Sequence, residues 1–297
     1  MNTRSSVAFR TERTTRAPPP IEASGATHVG RVRKQNQDSY LIATLRRSIV
    51  VHDATLEARS GWFTGEPAGT LVVVADGMGG EKGGDVASRV AVQTIADYLL
   101  NAMPWTPRRT DVTASRAPSA SLPGLRAELS SALVTGDLTV RNTGIRTGAP
   151  RMGTTLTMAF VIWPMVYVAH VGDSRCYLCR AGSLKRLTTD HNLAQQMLDE
   201  GVSVQLNASW QHLLWNSLGG SAEAPAPQIT KLTLEPSDVL LLCSDGLTKH
   251  VSDAEIAGIL PSNASAPRIC STLIERANDQ GGSDNVTAVV VRIPRGA

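Results

Sequence analysis

The sequence has few cysteines, and their placement does not suggest disulfide or redox chemistry. Four cysteines in 297 residues are too few and too scattered for a disulfide framework. Cys176 and Cys179 form a C-x-x-C, but this segment has the pattern of a strand and no second pair of ligands lies nearby. We therefore interpret them as packed thiols rather than as zinc ligands or a redox pair.

The sequence also lacks a long apolar run. Its apolar stretches have the length of strands, and residues 161–171, for example, are interrupted by Pro164 and contain His170. A membrane-spanning helix needs roughly 20 consecutive apolar residues, and the N-terminus lacks the apolar core and cleavage site of a secretory signal. We therefore expect no membrane span and a cytoplasmic location.

A basic stripe of the kind that binds nucleic acid is missing as well. The 29 basic and 26 acidic residues leave a net charge of +3, and residues 1–20, with four arginines and one glutamate, account for all of it. The remainder is neutral, which argues against a nucleic-acid partner. We expect residues 1–22, which contain three consecutive prolines, to form a disordered basic tail, and residues 23–297 to form one domain.

The chain does contain an alternation of strand and helix patterns. Residues 71–75 form an apolar, valine-rich run typical of a strand buried on both faces. A glycine-rich segment follows at 77–84, and apolar residues between 86 and 99 then recur at helical spacing. Further helices are predicted near 125–141, 193–198, 253–260 and 266–278, and further strands at 154–163, 166–171, 175–179, 184–187, 229–234, 239–243 and 286–293. Short consecutive strands indicate antiparallel pairing, so the pattern predicts a layered α+β fold.

Three aspartates have the same sequence context. Each lies at the end of a predicted strand or in a loop, next to a glycine or a small polar residue. They are Asp76, Asp245 and Asp284. A carboxylate at the end of a buried strand is costly unless it is paired or binds a cation, and no matching lysine or arginine is evident nearby in the sequence. Oxygen donors favour Mg²⁺ or Mn²⁺ over zinc. Together the three predict a shared divalent-metal site, although each alone could belong to a simple turn.

A fourth segment, residues 30–39, places basic residues before Asp38. A guanidinium can hold a phosphate dianion with two hydrogen bonds while a carboxylate orients water. A solvated basic turn is the alternative, and composition alone does not rank Arg31, Arg33 and Lys34.

These segments belong to an ordered series of six motifs that resembles the type 2C, metal-dependent protein serine/threonine phosphatases, most closely their bacterial branch. The motifs are Arg33-x-x-Asn36-x-Asp38, Asp76-Gly77-Met78-Gly79-Gly80, Gly153-Thr154-Thr155, Gly172-Asp173-Ser174-Arg175, Ser244-Asp245-Gly246 and Asp284-Asn285. The resemblance covers about residues 25–293. It implies a central sandwich of two antiparallel β-sheets with helices on both outer faces.

The resemblance also implies an activity and a cofactor. The substrates would be phosphoserine and phosphothreonine on proteins. The protein would oppose a bacterial Ser/Thr kinase by reversing its action. We also expect the protein to be a monomer. A binuclear centre of two Mn²⁺ or Mg²⁺ ions would be bridged by Asp76, with the Gly77 carbonyl oxygen, Asp245 and Asp284 as further ligands. Two such cations activate water and offset charge during in-line attack on phosphorus.

Further roles follow by position in the motifs. Asp38 would hold a water of the metal centre, and Arg33 would bind the substrate phosphate. For Asp173 and Arg175 we favour a buried ion pair or a turn lock over catalysis.

The sequence departs from the family pattern at three places. Gln37 stands where glutamate is frequent, which removes one charge beside the centre and predicts weaker metal binding. Met78 stands where many eukaryotic members have a histidine proposed to protonate the leaving group, and methionine cannot transfer a proton. No acidic residue lies between Asp137 and Asp173, so we do not expect a third metal bound through the aspartate that often precedes the Gly-Thr-Thr motif.

Two further segments are candidates for variable structure. Residues 43–70 make the interval between the first two motifs longer than expected for bacterial members, and we expect them to form a lobe near the site. Residues 190–220 correspond to the variable flap of the family. In the flap, Trp210, His212 and Trp215 are candidates for contacts with protein substrates, core packing of the tryptophans being the alternative.

Other functions fit the sequence less well. A phosphoprotein-binding module without catalysis would be favoured by the loss of Asp245 or Asp284, and both are present. Cys270 and Arg276 match the spacing of a tyrosine-phosphatase loop, but the residues between them lack glycine and have a helical pattern, so they could not turn backbone NH groups towards a phosphate. No glycine-lysine-Ser/Thr segment of a P-loop is present.

Overall fold

The computed structural model describes residues 21–46, 48–50, 62–64, 69–80, 83–101, 124–201, 208–220 and 223–294. The strands are β1 (Glu22–His28), β2 (Asp38–Leu45), β3 (Ser48–Val50), β4 (Trp62–Thr64), β5 (Gly69–Met78), β6 (Gly153–Thr154), β7 (Leu156–Ile162), β8 (Met165–Val171), β9 (Arg175–Arg180), β10 (Ser183–Arg186), β11 (Gln228–Thr233), β12 (Val239–Cys243) and β13 (Val286–Arg292). The helices are α1 (Gly84–Asn101), α2 (Leu125–Thr147), α3 (Leu193–Asp199), α4 (Asp245–Thr248), α5 (Asp253–Ile259) and α6 (Ala266–Asp279), with a 3-10 helix at Ala208–His212. None of the helices in these ranges has the length and apolarity needed to cross a membrane.

The strands form two antiparallel sheets. The first sheet has the order β1-β13-β12-β9-β10, and the second has the order β11-β8-β7-β5-β2, with the short β6 paired to β5. A separate ribbon consists of β3 and β4. Because consecutive strands are joined by short turns, such as the one between β9 and β10, antiparallel pairing is the natural outcome.

Alternation of side chains along the strands divides the apolar residues into three layers of core. On β5, Leu71 and Val73 pack against α1 and α2, whereas Val72 and Val74 face the first sheet. In the first sheet, Leu241 likewise packs towards α4, α5 and α6, while its neighbours point into the space between the sheets. Each fully buried side chain of this kind contributes about 1.5–3 kcal/mol. The predicted sandwich with helices on both outer faces is confirmed.

The C-x-x-C segment lies on β9, as its pattern predicted. Cys176 points into the space between the sheets, and Cys179 points to the helical side of the same sheet. Both thiols are free and buried. Because their side chains project from opposite faces of the strand, they cannot ligate one metal ion or form a redox pair, and the interpretation as packed thiols is confirmed.

The predicted boundary of the N-terminal tail needs a small correction. β1 begins at Glu22, which pairs with Arg292 of β13, so the last residue of the predicted 1–22 tail belongs to the first sheet. Residues 1–20 lie outside the described residues, and their disorder stays a prediction.

The segment 43–70 is attached at the wrong end of the sheet for a lobe beside the predicted site. On β2, Asp38 lies opposite Asp76, whereas Leu45, at the other end of the strand, lies opposite Gly69. Seven residue steps at roughly 3.3 Å each separate the two ends. The expectation of a lobe near the site arose from distance along the sequence, whereas the strand carries the chain to the opposite end of the sheet. Residues 51–61 and 65–68 lie outside the described ranges.

Candidate active site

Four of the predicted aspartates meet at one end of the sandwich. Asp38 begins β2 and lies directly opposite Asp76 on the neighbouring β5 of the second sheet. Asp245 follows the end of β12, and Asp284 precedes β13, the adjacent strand of the first sheet. The antiparallel registers therefore bring residues that are up to 246 positions apart to the same edge. A cleft of about 240 Å³ opens between the two sheets at this edge.

Asp38 joins the two sheets through hydrogen bonds. Its Oδ2 accepts hydrogen bonds from the hydroxyls of Ser244 at 2.7 Å and Thr287 at 2.6 Å. Its Oδ1 is buried and has no hydrogen-bond partner in the described part of the chain. An unpartnered oxygen on a buried carboxylate is costly, so one side of Asp38 is fixed and the other is left open to a ligand.

Asn285 holds the loop that precedes β2. Its side-chain oxygen accepts a hydrogen bond from the Gln37 NH at 2.8 Å, and its NH₂ group donates to the carbonyls of Val29 and Gln35 at 2.9 Å each. A side chain at Gly246 would run into the carbonyl oxygen of Asn285, so glycine is required where α4 approaches Asn285 itself. These contacts position the whole segment 29–37 at the edge of the cleft.

Arg33 is the basic residue of this loop that faces the acidic residues. Its Nε lies 2.8 Å from Asp284 Oδ1, and its Nη2 donates to Asp284 Oδ2 at 3.0 Å. Arg31 instead turns towards α6, where it donates to the Asn278 carbonyl and pairs with Asp279. The structure thus separates two residues that the sequence left unranked, and it places the predicted phosphate ligand at the cleft.

Lys249 corrects the expectation that no basic residue accompanies the aspartates. Its Nζ lies 2.6 Å from Asp245 Oδ2 and 2.8 Å from Asp284 Oδ2. Because it lies four residues after Asp245, one helical turn brings it onto the same face. The predicted metal ligands of the first sheet are therefore both engaged by a lysine, and no group of three or more His, Cys, Asp or Glu side chains that could hold a metal ion is gathered within the described ranges.

The carboxylates of the second sheet are less well compensated. Burial, together with the nearby Asp245 and Asp284, raises the pKa of Asp38 to about 7, although its hydrogen bonds act in the opposite direction. Burial and the charge of Asp38 hold the pKa of Asp76 well above its usual value. For Asp284, by contrast, hydrogen bonds from Arg33 and Lys249 outweigh burial and lower the pKa. Among the described residues, the carboxyl groups of the cleft outnumber the two cations, Arg33 and Lys249, that pair with them.

Asp173 belongs to the cleft, whereas Arg175 does not contact it. Arg175 forms a bidentate ion pair with Asp190, with Nη2 2.6 Å from Oδ2 and Nε 3.0 Å from Oδ1. The buried ion pair expected for this motif therefore exists, but Asp173 has no part in it. Asp173 instead lines the cleft beside Asp245, and burial with the charges of Asp245 and Asp190 raises its pKa to about 8.

The flap packs on a buried polar group that we call the histidine cluster, formed by His170, His191, Thr157, Trp215 and Asn216. His191 Nδ1 accepts hydrogen bonds from the Gly172 NH at 3.2 Å and from the Asn216 side chain at 2.9 Å. His170 contacts the Thr157 hydroxyl at 2.8 Å and the Thr189 carbonyl at 3.1 Å. The rings of His191 and Trp215 lie 4.8 Å apart. This cluster fixes the flap next to the loop that carries Asp173.

The aromatic residues of the flap differ in what they contact. Trp215 packs on His191 but keeps 49% of its surface exposed, so it belongs neither to a closed core nor to the cleft. His212 is exposed and lines both the 240 Å³ cleft and an adjoining groove of about 280 Å³. Asp173 and Asp245 also line both cavities, which therefore adjoin each other.

Three residues that act through other residues received no role from the sequence. Ser244 and Asn285 stand in the motifs quoted above and Thr287 lies in β13, and each holds a site residue although it is a polar residue of a common type. Lys249 could have been found, since a lysine four residues after an aspartate in a helix is a frequent ion pair. Asp173 also had a signal, because it follows Gly172 at a strand end in the same format as the other aspartates.

Comparison with known proteins agrees with this geometry. The sequence profile of the family described as protein phosphatase 2C matches residues 43–289. The serine/threonine phosphatase stp of Listeria welshimeri is 31% identical over 274 residues, covering 91% of this chain and 95% of that protein.

Solved structures share the whole fold. The serine/threonine phosphatase of S. agalactiae superposes with a TM-score of 0.71 at 26% identity, covering 92% of this chain and 99% of that one. The catalytic domain of the phosphatase PstP, solved in complex with two manganese ions, gives a TM-score of 0.68 at 29% identity, covering 92% of this chain and 98% of that one. The resemblance seen in the six motifs is confirmed: the chain belongs to the protein phosphatase 2C family and is an enzyme, a protein phosphatase.

Proposed function

We propose that the chain hydrolyses phosphoserine and phosphothreonine on proteins, using two Mn²⁺ or Mg²⁺ ions bound at the cleft. The observation that carries this proposal is the pair of buried carboxylate oxygens, Asp38 Oδ1 and Asp245 Oδ1, that have no hydrogen-bond partner among the described residues. Hard oxygen donors of this kind suit Mg²⁺ and Mn²⁺, and relatives from bacteria are named serine/threonine phosphatases.

The acidic residues of the cleft fit such a centre in type and charge. Asp76, Asp245 and Asp284 would bind the metals, with the carbonyl oxygen of Gly77 as a further ligand. A side chain at Gly77 would collide with the Gly84 carbonyl oxygen, so this backbone can lie at the cleft only as glycine. The bound ions would supply Lewis-acid stabilisation of the phosphoryl oxygens and an activated water.

The remaining steps belong to residues of the chain itself. Arg33 has 57% of its side chain exposed at the mouth of the cleft and pairs with Asp284 when no substrate is present. Its guanidinium would bind the phosphate dianion of the substrate through its NH groups. Asp38, fixed through Oδ2, keeps Oδ1 available to orient a water towards phosphorus. Water attacks phosphorus in line with the serine or threonine oxygen that leaves, so inorganic phosphate and the free hydroxyl are the products.

Assignment of these roles also leads to a physiological proposal. We propose that the substrates are proteins phosphorylated by a bacterial Ser/Thr kinase, which the phosphatase opposes. The neutral charge of residues 21–297 and the groove that adjoins the cleft suit an extended phosphopeptide rather than a nucleic acid. The monomeric state and the cytoplasmic location stay predictions.

The experiment compares phosphate release from phosphoserine, phosphothreonine and phosphotyrosine peptides with Mn²⁺, with Mg²⁺ and with a chelator. The wild-type protein is expected to require the metal and to prefer the first two peptides. Asp245→Asn is expected to reduce turnover at least about 100-fold, since changing even an outer partner of a metal ligand costs 10–100-fold. Asp279→Asn is the matched control, because Asp279 is 70% exposed and pairs only with the exposed Arg31 among described residues.

Two results would contradict the proposal. One is a wild-type protein that releases no phosphate from any of the peptides with either metal. The other is an Asp245→Asn variant that keeps the turnover of the Asp279→Asn control.

A further inference from the structure

Lys249 holds a position that the family motifs do not explain. It lies directly after α4, and its backbone NH donates to the Asp245 carbonyl at 2.8 Å, which fixes the turn from which the side chain extends. Its ammonium lies between Asp245 and Asp284, within 2.8 Å of an oxygen of each. The side chains of the three residues are 17–25% exposed, while Lys249 as a whole residue lies at the surface, so the triad is partly shielded from solvent.

The charge of Lys249 is stabilised by these neighbours. Its ammonium, which is positive at neutral pH as in lysines generally, lies within ion-pair distance of an oxygen of Asp245 and of Asp284. Its two partners, Asp245 and Asp284, are the carboxylates beside the first sheet that are proposed to bind the metal.

We propose that Lys249 acts as an internal competitor of the metal, so that it lowers the affinity of the cleft for Mn²⁺ and stabilises the protein when metal is scarce. The proposal rests on the metal centre described under the proposed function.

The physical reason does not depend on where the ammonium goes when a metal binds. If Lys249 leaves the carboxylates, the free energy of two shielded ion pairs is lost and opposes binding. If it stays, a unit positive charge remains beside a divalent cation, and the repulsion in a partly buried site opposes binding as well. Either way, removal of the charge favours the metal-bound state.

The same reasoning predicts an opposite effect on the metal-free protein. Without Lys249, the carboxylates of Asp245 and Asp284 face each other, with Arg33 as a cation on only one of them. Loss of a partner from a shielded ion pair leaves an uncompensated charge and destabilises the fold. Lys249 therefore lowers the metal affinity and raises the stability of the metal-free state. By linkage, metal binding must weaken the Lys249 ion pairs by the same free energy by which those pairs weaken metal binding.

The test measures Mn²⁺ binding by isothermal titration calorimetry on the full chain after removal of metal with a chelator. Lys249→Met is expected to bind Mn²⁺ roughly tenfold more tightly than wild type, within the range of ordinary coupling between two ligands. Lys249→Arg keeps the charge and is expected to stay near wild type. Lys185→Met, on the exposed strand β10, removes the same charge elsewhere and serves as the matched control.

Thermal unfolding gives a second readout that does not need activity. Without metal, Lys249→Met is expected to unfold at a lower temperature than wild type and than Lys185→Met. With saturating Mn²⁺, its melting temperature is expected to rise by more than that of wild type. Lys249→Gln, which keeps a hydrogen-bond donor but no charge, repeats the measurement if the methionine variant does not fold.

The possible outcomes separate this proposal from the proposed function. Equal or weaker Mn²⁺ binding by Lys249→Met, when wild type binds Mn²⁺, overturns the role of Lys249 and leaves the metal centre standing. Binding by Lys249→Met but not by wild type supports the competitor role in its strongest form. Absence of Mn²⁺ binding in wild type and every variant overturns both the metal centre and the competitor.

Discussion

The acidic cleft and the histidine cluster are two polar groups only one loop apart. They differ in whether their buried polar atoms have hydrogen-bond partners. In the cleft, carboxylates from both sheets face one another, and two buried oxygens lack hydrogen-bond partners among the described residues. In the histidine cluster, His191 accepts hydrogen bonds from two donors, and both rings stay neutral because burial lowers the pKa of His170 to about 3 and that of His191 to about 4.

The difference indicates which group is built for stability and which for a ligand. Buried polar atoms in native proteins nearly always have hydrogen-bond partners. The histidine cluster follows this rule, as expected of a group that supports the fold. The cleft departs from this rule at two carboxylates, Asp38 and Asp245. Such a departure costs free energy of folding, and a bound cation is the partner that would offset it.

The largest expected effects on turnover and stability come from two single variants. One changes a carboxylate in the cleft, and the other changes a carboxylate in a structural ion pair. Asp76→Asn is expected to reduce Mn²⁺-dependent turnover at least about 100-fold. It is also expected to raise the stability of the metal-free protein at pH 7.5, because it removes a carboxyl group whose ionisation is opposed by burial and by the charge of Asp38. Asp238→Asn is expected to leave turnover intact but to cost roughly 1.5–3 kcal/mol, the value of hydrogen bonds to a charged partner. Asp238 is buried and accepts two hydrogen bonds from Arg180.

Phosphopeptide turnover and urea unfolding in the presence of a chelator measure these two effects. Asp76→Asn could instead lower the stability of the metal-free protein as Asp238→Asn does. The carboxylates of the cleft would then stabilise the fold like those of a structural ion pair, and the contrast drawn between the two kinds of site would be wrong.

An intermediate effect is expected from the pH dependence of stability. The unfolded chain protonates His191 near pH 6.5 and the folded protein only near pH 4, so in this window the unfolded state binds more protons. Stability is therefore present above pH 6.5 and is lost as pH falls towards 4. The loss from this residue is roughly 2–3 kcal/mol by pH 4.5.

Acid unfolding of His191→Gln isolates this contribution. The raised pKa values of Asp38 and Asp173 act with the opposite sign in metal-free protein, because their protonation as pH falls relieves repulsion in the cleft. Both proteins share the contribution of these carboxyl groups, so the difference between them reports His191 together with its effect on the pKa of the neighbouring His170. Urea unfolding at pH 7.5 and 4.5 is expected to show a smaller pH effect in the variant, and an unchanged pH effect would exclude the lowered pKa.

The smallest expected effect comes from single hydroxyl groups in the two clusters. Thr287→Val removes one of the two hydrogen bonds to Asp38 Oδ2 and is expected to lower turnover about tenfold, at the low end for an outer partner of the metal site. It should also move the acidic limb of the pH–rate profile upwards, because that hydrogen bond lowers the pKa of Asp38. Thr157→Val removes the hydroxyl that contacts His170 and is expected to cost stability without moving the profile.

The profile shift separates positioning from packing. A Thr287→Val variant that loses turnover while its pH–rate profile stays in place would show that Thr287 supports the fold rather than Asp38.

Most regular elements and the family could be read from the sequence. The strand 239–243 was predicted with its observed limits, and α6, predicted at 266–278, differs by one residue at its C-terminal end. These segments have strong apolar periodicity and clear flanking turns. β2 was not predicted, because its burial is only intermediate over most of its length and its pattern is correspondingly weak. The beginning of α4 at Asp245 was missed because a turn of four residues has no periodicity to detect.

The sequence by itself determined the chemistry of the site: which aspartates, glycines and motifs are present, in which order, and hence the family. These depend on residue type and spacing along the chain, which the sequence states directly. Only the tertiary structure decided that Asp38 bridges the two sheets, that Arg33 rather than Arg31 faces the cleft, and that Lys249 lies between two carboxylates. The reason is physical, since charge compensation depends on distances across strands whose register is set by packing of the whole sandwich.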